Sequence, residues 1–161
     1  MHAAPTTVPS PAVGAVASRG RGAHGHGFVP RAVESLSVLL VEDSPLLAER
    51  LREALGALPA VGEIRTVDRE ATAADAVAGA DVVVLDLHLK QGTGFGVLRA
   101  LRQRPEPRPV VIVFTNHDVP GYRTRAAALG AQHFLDKARD FDRLGELLVE
   151  LHLARGRCAS A

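Results

Sequence analysis

A chain of 161 residues with 47% hydrophobic and 23% charged residues has the composition of one well-cored globular domain, which excludes global disorder and two ordinary domains. Its 19 Lys plus Arg and 18 Asp plus Glu nearly cancel to a formal charge of +1, and only 4% of residues are aromatic, so a nucleic-acid-binding surface has little support. The single cysteine, Cys158, excludes an internal disulfide, and no apolar stretch approaches the length of a membrane span.

Residues 1–34 are rich in Pro, Gly, Ala and Ser, and their basic residues Arg19, Arg21 and Arg31 meet no acid before Glu34. Such a segment offers little apolar surface to offset chain ordering and is expected to be a flexible tail. His24 and His26 within it read as tail residues rather than as a metal site. The first residues lack the basic start and continuous apolar region of a secretory signal, so a cytoplasmic location is expected. A folded domain is expected over 35–156, followed by a short tail over 157–161.

From Leu36 onward apolar runs alternate with helical patterns. The runs are VLLV (38–41), a weaker EIRTV (63–67), DVVVLDL (81–87), PVVIVFT (109–115) and AQHFLD (131–136). Runs that are apolar at successive positions suit strands buried on both faces, as in a parallel sheet covered by helices. Over 46–58 the residues Leu47, Leu51, Ala54, Leu55 and Leu58 recur at helical spacing. Phe95, Leu98 and Leu101 do so in a third cover, and Leu144, Leu147, Leu148 and Leu151 in the last. The Ala-rich stretches 70–79 and 120–129 are read as two further helices. The predicted fold is α/β, five βα units forming a single doubly wound sheet.

In such a sheet ligands gather outside the carboxyl ends of the strands. The strands end in Glu42 and Asp43, near Asp68, in Asp86, in Thr115, and in Asp136 and Lys137. The pair Glu42-Asp43 admits two readings. Asp43-Ser44-Pro45 is a good helix start, with Asp or Ser as N-cap and Pro at the first helical position, while crowded carboxylates also call for a cation. Mg²⁺ suits a site of few carboxylates, waters and a phosphoryl oxygen. Neither GxGxxG nor GxxxxGK[ST] follows the first strand, which argues against nucleotide binding. What remains is a carboxylate nucleophile, Asp86, able to form an aspartyl phosphate. Mg²⁺, the Lys137 ammonium and the Thr115 hydroxyl would then stabilise the phosphoryl oxygens.

VLLVED (38–43), VVVLDLHLKQGTGFGVLRALR (82–102), VIVFTN (111–116) and FLDK (134–137) resemble the receiver domain of two-component response regulators, over roughly residues 36–155. The resemblance implies a flavodoxin-like fold with strand order 2-1-3-4-5. It implies Asp86 as phosphoacceptor, Glu42, Asp43 and Asp86 around Mg²⁺, Thr115 and Lys137 as phosphoryl-stabilising groups, and Thr115 and Phe134 as the switch pair. Lys90 and Gln91 follow Leu89, and Ala138 follows Lys137, at places where that family often has proline. His88, Asn116 and His117 are expected to tune hydrolysis. The implied phosphodonor is a sensor histidine kinase or a histidine phosphotransfer protein. With 24 residues after Lys137, a stand-alone regulator is expected, acting on a downstream protein rather than on nucleic acid or membrane. A homodimer through the fourth helix, fifth strand and fifth helix is a further expectation; Arg123, Arg125 and Arg139 fall near that surface but read first as a solvated face. Two alternatives stay open. One is a Mg²⁺-dependent phosphohydrolase, although its expected second acid is here His88. The other is a receiver-like interaction module that is never phosphorylated.

Overall fold

In the computed structural model, which describes residues 34–117 and 119–158, strands and helices alternate along the chain. The strands are β1 (Leu36–Val41), β2 (Val61–Val67), β3 (Val82–Leu85), β4 (Val110–Thr115) and β5 (His133–Asp136). The helices are α1 (Pro45–Gly56), α2 (Glu70–Ala76), α3 (Gly94–Arg102), α4 (Tyr122–Ala128) and α5 (Phe141–Cys158). All paired strands are parallel, in the order β2-β1-β3-β4-β5, so the doubly wound, flavodoxin-like reading holds. Residues 1–33 of the expected N-terminal tail, with His24 and His26, lie outside the described residues.

The continuous apolar runs follow from burial on both faces. Leu39 and Val41, Val83 and Leu85, and Val111 and Val113 pack on one side of the sheet with residues of α2, α3 and α4. The alternate residues Val38 and Leu40, Val82 and Val84, and Ile112 and Phe114 pack on the other with residues of α1 and α5. A strand with only one buried face would alternate apolar and polar residues instead. Strand β2, at the sheet edge, is mostly exposed or half-buried, which explains its weak signal.

Several local expectations are corrected. In α1 the buried positions are Ala48, Leu51 and Leu55, whereas Ala54 is exposed. Helix α2 stops at Ala76, before Gly79, which has φ +76, and α4 begins only after Gly121, with φ +87. Those left-handed positions interrupt what the alanine content alone would continue.

Phe114 is 1% exposed and its ring lies 6.2 Å from that of Phe141. Phe114→Ala is expected to cost about 3–5 kcal/mol in urea unfolding, the range for removing a buried aromatic ring. Among the described residues no helix is long and apolar enough to cross a membrane.

Candidate functional site

The chain leaves β1 toward β2 on one side and later returns to β3 on the other, so the strand order reverses between β1 and β3. The crevice expected at such a reversal lies at the carboxyl ends of these two strands. Glu42 and Asp43 follow β1, and Asp86 follows β3.

The helix start at α1 is made by Ser44. Its backbone is extended, its hydroxyl oxygen accepts the Leu47 N–H at 3.4 Å, and Pro45 takes the first helical position. Ser44 therefore fills the N-cap, the role that the sequence left open between it and Asp43. Glu42 is turned inward at 5% exposure, its Oε1 accepting the Ser44 N–H at 3.0 Å.

Asp86 is 8% exposed and both its oxygens are engaged. Oδ1 accepts the Thr115 hydroxyl at 2.9 Å and the His88 N–H at 3.1 Å. Oδ2 lies 2.5 Å from the Lys137 ammonium, which also reaches Glu42 Oε2 at 2.6 Å. Thr115 is fully buried at the end of β4, and the Lys137 side chain is 7% exposed just after β5. The register sets this geometry, since Thr115 pairs with Asp136 and its carbonyl oxygen accepts the Lys137 N–H at 3.1 Å.

Three carboxylates face one ammonium, so the cluster carries an excess negative charge that burial makes costly. Oxygens of Glu42, Asp43 and Asp86 lie within 4.8 Å of one another. Hard carboxylate donors this close suit a small divalent cation such as Mg²⁺. The other strand-end acids do not join them. Asp68 is exposed and bonded to Arg69 at 2.9 Å, and that guanidinium holds its carboxyl below the usual range. The Asp136 carboxylate folds onto its own loop, accepting the Ala138 N–H at 2.8 Å and the Arg139 N–H at 3.2 Å.

The loop between β3 and α3 holds contacts that sequence reasoning missed. The Lys90 N–H donates to Asp43 Oδ2 at 2.6 Å and the Lys90 ammonium to the Asp43 carbonyl at 3.3 Å. At both places where the resembled family often has proline, Lys90 and Ala138, this chain thus uses an N–H that proline lacks. The departures were legible in the sequence; the acceptors were not. Glu70, at the start of α2, clamps the same loop: its N–H reaches Gln91 O at 3.1 Å, and its Oε2 accepts the Thr93 N–H at 2.7 Å. Gly94 makes a close approach possible, because a Cβ there would run into the Asp86 carbonyl and Leu87 Cα.

His88 and His117 are both exposed, and their rings stack with centroids 3.7 Å apart. This stack stands beside Asp86, tied to it by the His88 N–H and by the His117 N–H to Thr115 Oγ1 at 3.4 Å. Asn116, between Thr115 and His117, is exposed. Phe134 pairs with Val113, two residues before Thr115, so Phe134 and Thr115 project to the same face of the sheet. The Phe134 ring is half-buried under the Arg123 guanidinium at 4.5 Å, and Arg123 also donates to the Phe134 carbonyl at 3.2 Å. Arg125 is exposed and lies over Phe95 at 4.2 Å, on the α3 side.

A family model described as the response regulator receiver domain matches residues 38–149. A curated relative, a protein-glutamate methylesterase/protein-glutamine glutaminase of Symbiobacterium thermophilum, is 32% identical over 129 residues. The match covers 78% of this chain and 34% of the relative, so the chain spans about a third of that protein's length. Among solved structures, the signal receiver domain of a Luxo repressor protein from Vibrio parahaemolyticus superposes with a TM-score of 0.67 and 30% identity, covering 79% of this chain and 96% of that one. The signal receiver domain of the response regulator NarL from Mycobacterium tuberculosis does so with a TM-score of 0.66 and 25% identity, covering 74% and 97%.

Proposed function

Because the chain belongs to the response regulator receiver domain family, we propose that it accepts a phosphoryl group from a phosphohistidine donor onto Asp86 and signals through protein contacts. The observation that carries this reading is the division of labour at Asp86, with Thr115 and His88 on one oxygen and Lys137 on the other. A nucleophile held this way needs little reorganisation as charge develops on the incoming oxygens. One Asp86 oxygen attacks phosphorus, the new O–P bond forms, and the P–N bond to the donor imidazole breaks. Mg²⁺ held by Glu42, Asp43 and Asp86 would neutralise the oxygens gathered there. The Lys137 ammonium and Thr115 hydroxyl exchange their present acceptor for phosphoryl oxygens.

That exchange supplies the switch. The added group carries about −1.5 to −2 charges. Drawing Thr115 toward it loosens the face that Thr115 shares with Phe134, and Phe134 must then move against Arg123. The receiver is read as a phosphoacceptor rather than a turnover enzyme, in the cytoplasm with its donor kinase or phosphotransfer protein. Residues 35–156 are its functional unit, and pairing through α4, β5 and α5 is one form its output can take. Intact mass after incubation with Mg²⁺ and acetyl phosphate, repeated with a phosphohistidine donor, tests the reading. One hydroxylamine-labile phosphoryl adduct is expected. None with either donor would favour an interaction module that works without phosphorylation.

The histidine stack narrows the approach of water to Asp86. Replacing His88 and His117 together by Ala is expected to speed loss of the phosphoryl group severalfold, followed by mass spectrometry after donor removal; an unchanged rate would remove these residues from hydrolysis control.

A further inference from the structure

We propose that the cleft between α3 and α4 docks an acidic partner segment, one that presents carboxylates beside an apolar side chain. Neither helix contains an acidic residue, whereas α3 carries Arg99 and Arg102 and α4 carries Arg123 and Arg125. The cleft encloses about 390 Å³, with Leu87, Leu89 and Phe95 lining it beside Tyr122, Arg99 and Arg125.

The four guanidiniums are not equivalent. Arg102 donates to the Ala128 carbonyl at 2.8 Å, and Arg123 is held over Phe134. Among the described residues, neither Arg99 nor Arg125 pairs with a carboxylate, and both are exposed. Arg125 has its guanidinium carbon 4.2 Å from the centre of the Phe95 ring, a cation–π contact that holds its charge at the cleft. Two nearby carboxylates are already occupied, Glu70 by the Thr93 N–H and Glu106 by Arg108. Positioned arginines over an apolar floor are the anchors expected of a protein interface. A nucleic-acid backbone fits less well, since the chain as a whole carries only +1 and the cleft has the size of a few side chains.

The cleft is also wired to the phosphoacceptor. Tyr122 sets its ring edge-on to Phe95 at 5.1 Å and lies 6.0 Å from His88, whose N–H holds Asp86. Docking needs no phosphoryl group, so its test stands apart from that of Asp86.

The test titrates the full chain with a fluorescein-labelled peptide of glutamates flanking one leucine, followed by anisotropy and by amide shifts in ¹⁵N-labelled protein. Saturable binding with shifts centred on Phe95, Arg99, Tyr122 and Arg125 is expected. Replacing Arg99 and Arg125 together by Gln is expected to weaken binding about tenfold or more, as is usual for interface anchors. Arg52→Gln, on α1 across the sheet, is expected to leave it unchanged. Arg99→Gln alone, at an exposed position, gives a smaller loss without touching Phe95. No saturable binding, equal loss in the Arg52 variant, or tighter binding of a short single-stranded oligonucleotide at the same residues would overturn the proposal.

Discussion

Asp86→Asn is expected to abolish the phosphoryl adduct completely while leaving a folded protein. The amide keeps an oxygen for the Thr115 hydroxyl and the His88 N–H, at the positions that Oδ1 holds at 2.9 and 3.1 Å. Its NH₂ takes the place of Oδ2 beside the Lys137 ammonium, so that ammonium must shift off it and rely on Glu42, now 2.6 Å away. The change in unfolding free energy should therefore be about 1–3 kcal/mol, the cost of a buried donor left without its acceptor. What disappears is the nucleophile, because an amide nitrogen or oxygen does not attack phosphorus as a carboxylate does. Intact mass with both donor types, beside a urea unfolding curve, separates these statements. An adduct persisting on the variant would place the acceptor at another residue.

Lys137→Ala is expected to destabilise the domain as much as removing the Phe114 ring, but by charge rather than by lost packing. The Lys137 side chain, 7% exposed, ends between Glu42 and Asp86, themselves 5% and 8% exposed. Removing one member of a buried ion cluster leaves uncompensated charge and costs about 3–5 kcal/mol. Here two carboxylates would be left facing each other with Asp43 beside them. The sign of the rescue distinguishes this cause from lost packing: Mg²⁺ should restore part of the deficit, because it supplies the missing positive charge, whereas a cavity would not respond. Urea unfolding with and without Mg²⁺ measures it. Phosphorylation should also slow by about 10²–10³-fold, as for the loss of one fixed donor to developing charge. A variant as stable as wild type in the absence of metal would mean that the cluster contributes nothing net to folding.

The sheet was legible because burial on both faces writes itself into VLLV, VVVL and VVIVF as unbroken apolar runs. The candidate site was legible because strand ends in this topology must meet, so charged residues at those ends could be listed before any distance was known. Less was readable where one residue type serves several structures. Alanine marks helix without marking its face, hence Ala54 outside and Ala48 inside α1. Gly79 and Gly121, the one glycine in each of the stretches 70–79 and 120–129, both turn left-handed and shorten the helices that the alanine content suggested. The backbone donors of Lys90 and Ala138 carry no signal, since every residue but proline has one. Arg125 shows the same limit from the side-chain side. Its place on α4 was readable, but whether a long flexible stem lies toward α5 or across Phe95 is decided by tertiary packing alone.

Helix α2 is only seven residues long and buries a single one of them, Ala73. An element with so little apolar anchorage should open often, and hydrogen exchange should find it among the least protected parts of the domain. Yet its first residue holds the loop beside Asp86 at two points, Gln91 O and Thr93 N–H, and its carboxylate rests against Gly96, where no Cβ stands in the way. Whenever α2 frays at that end, the loop loses its outer tether as well. Amides of 70–76 and 90–93 should then exchange as one cooperative unit, and Glu70→Ala should raise both rates together. The mobility of the loop next to the acceptor is in that case set from its far side, by one carboxylate that never touches the reacting group.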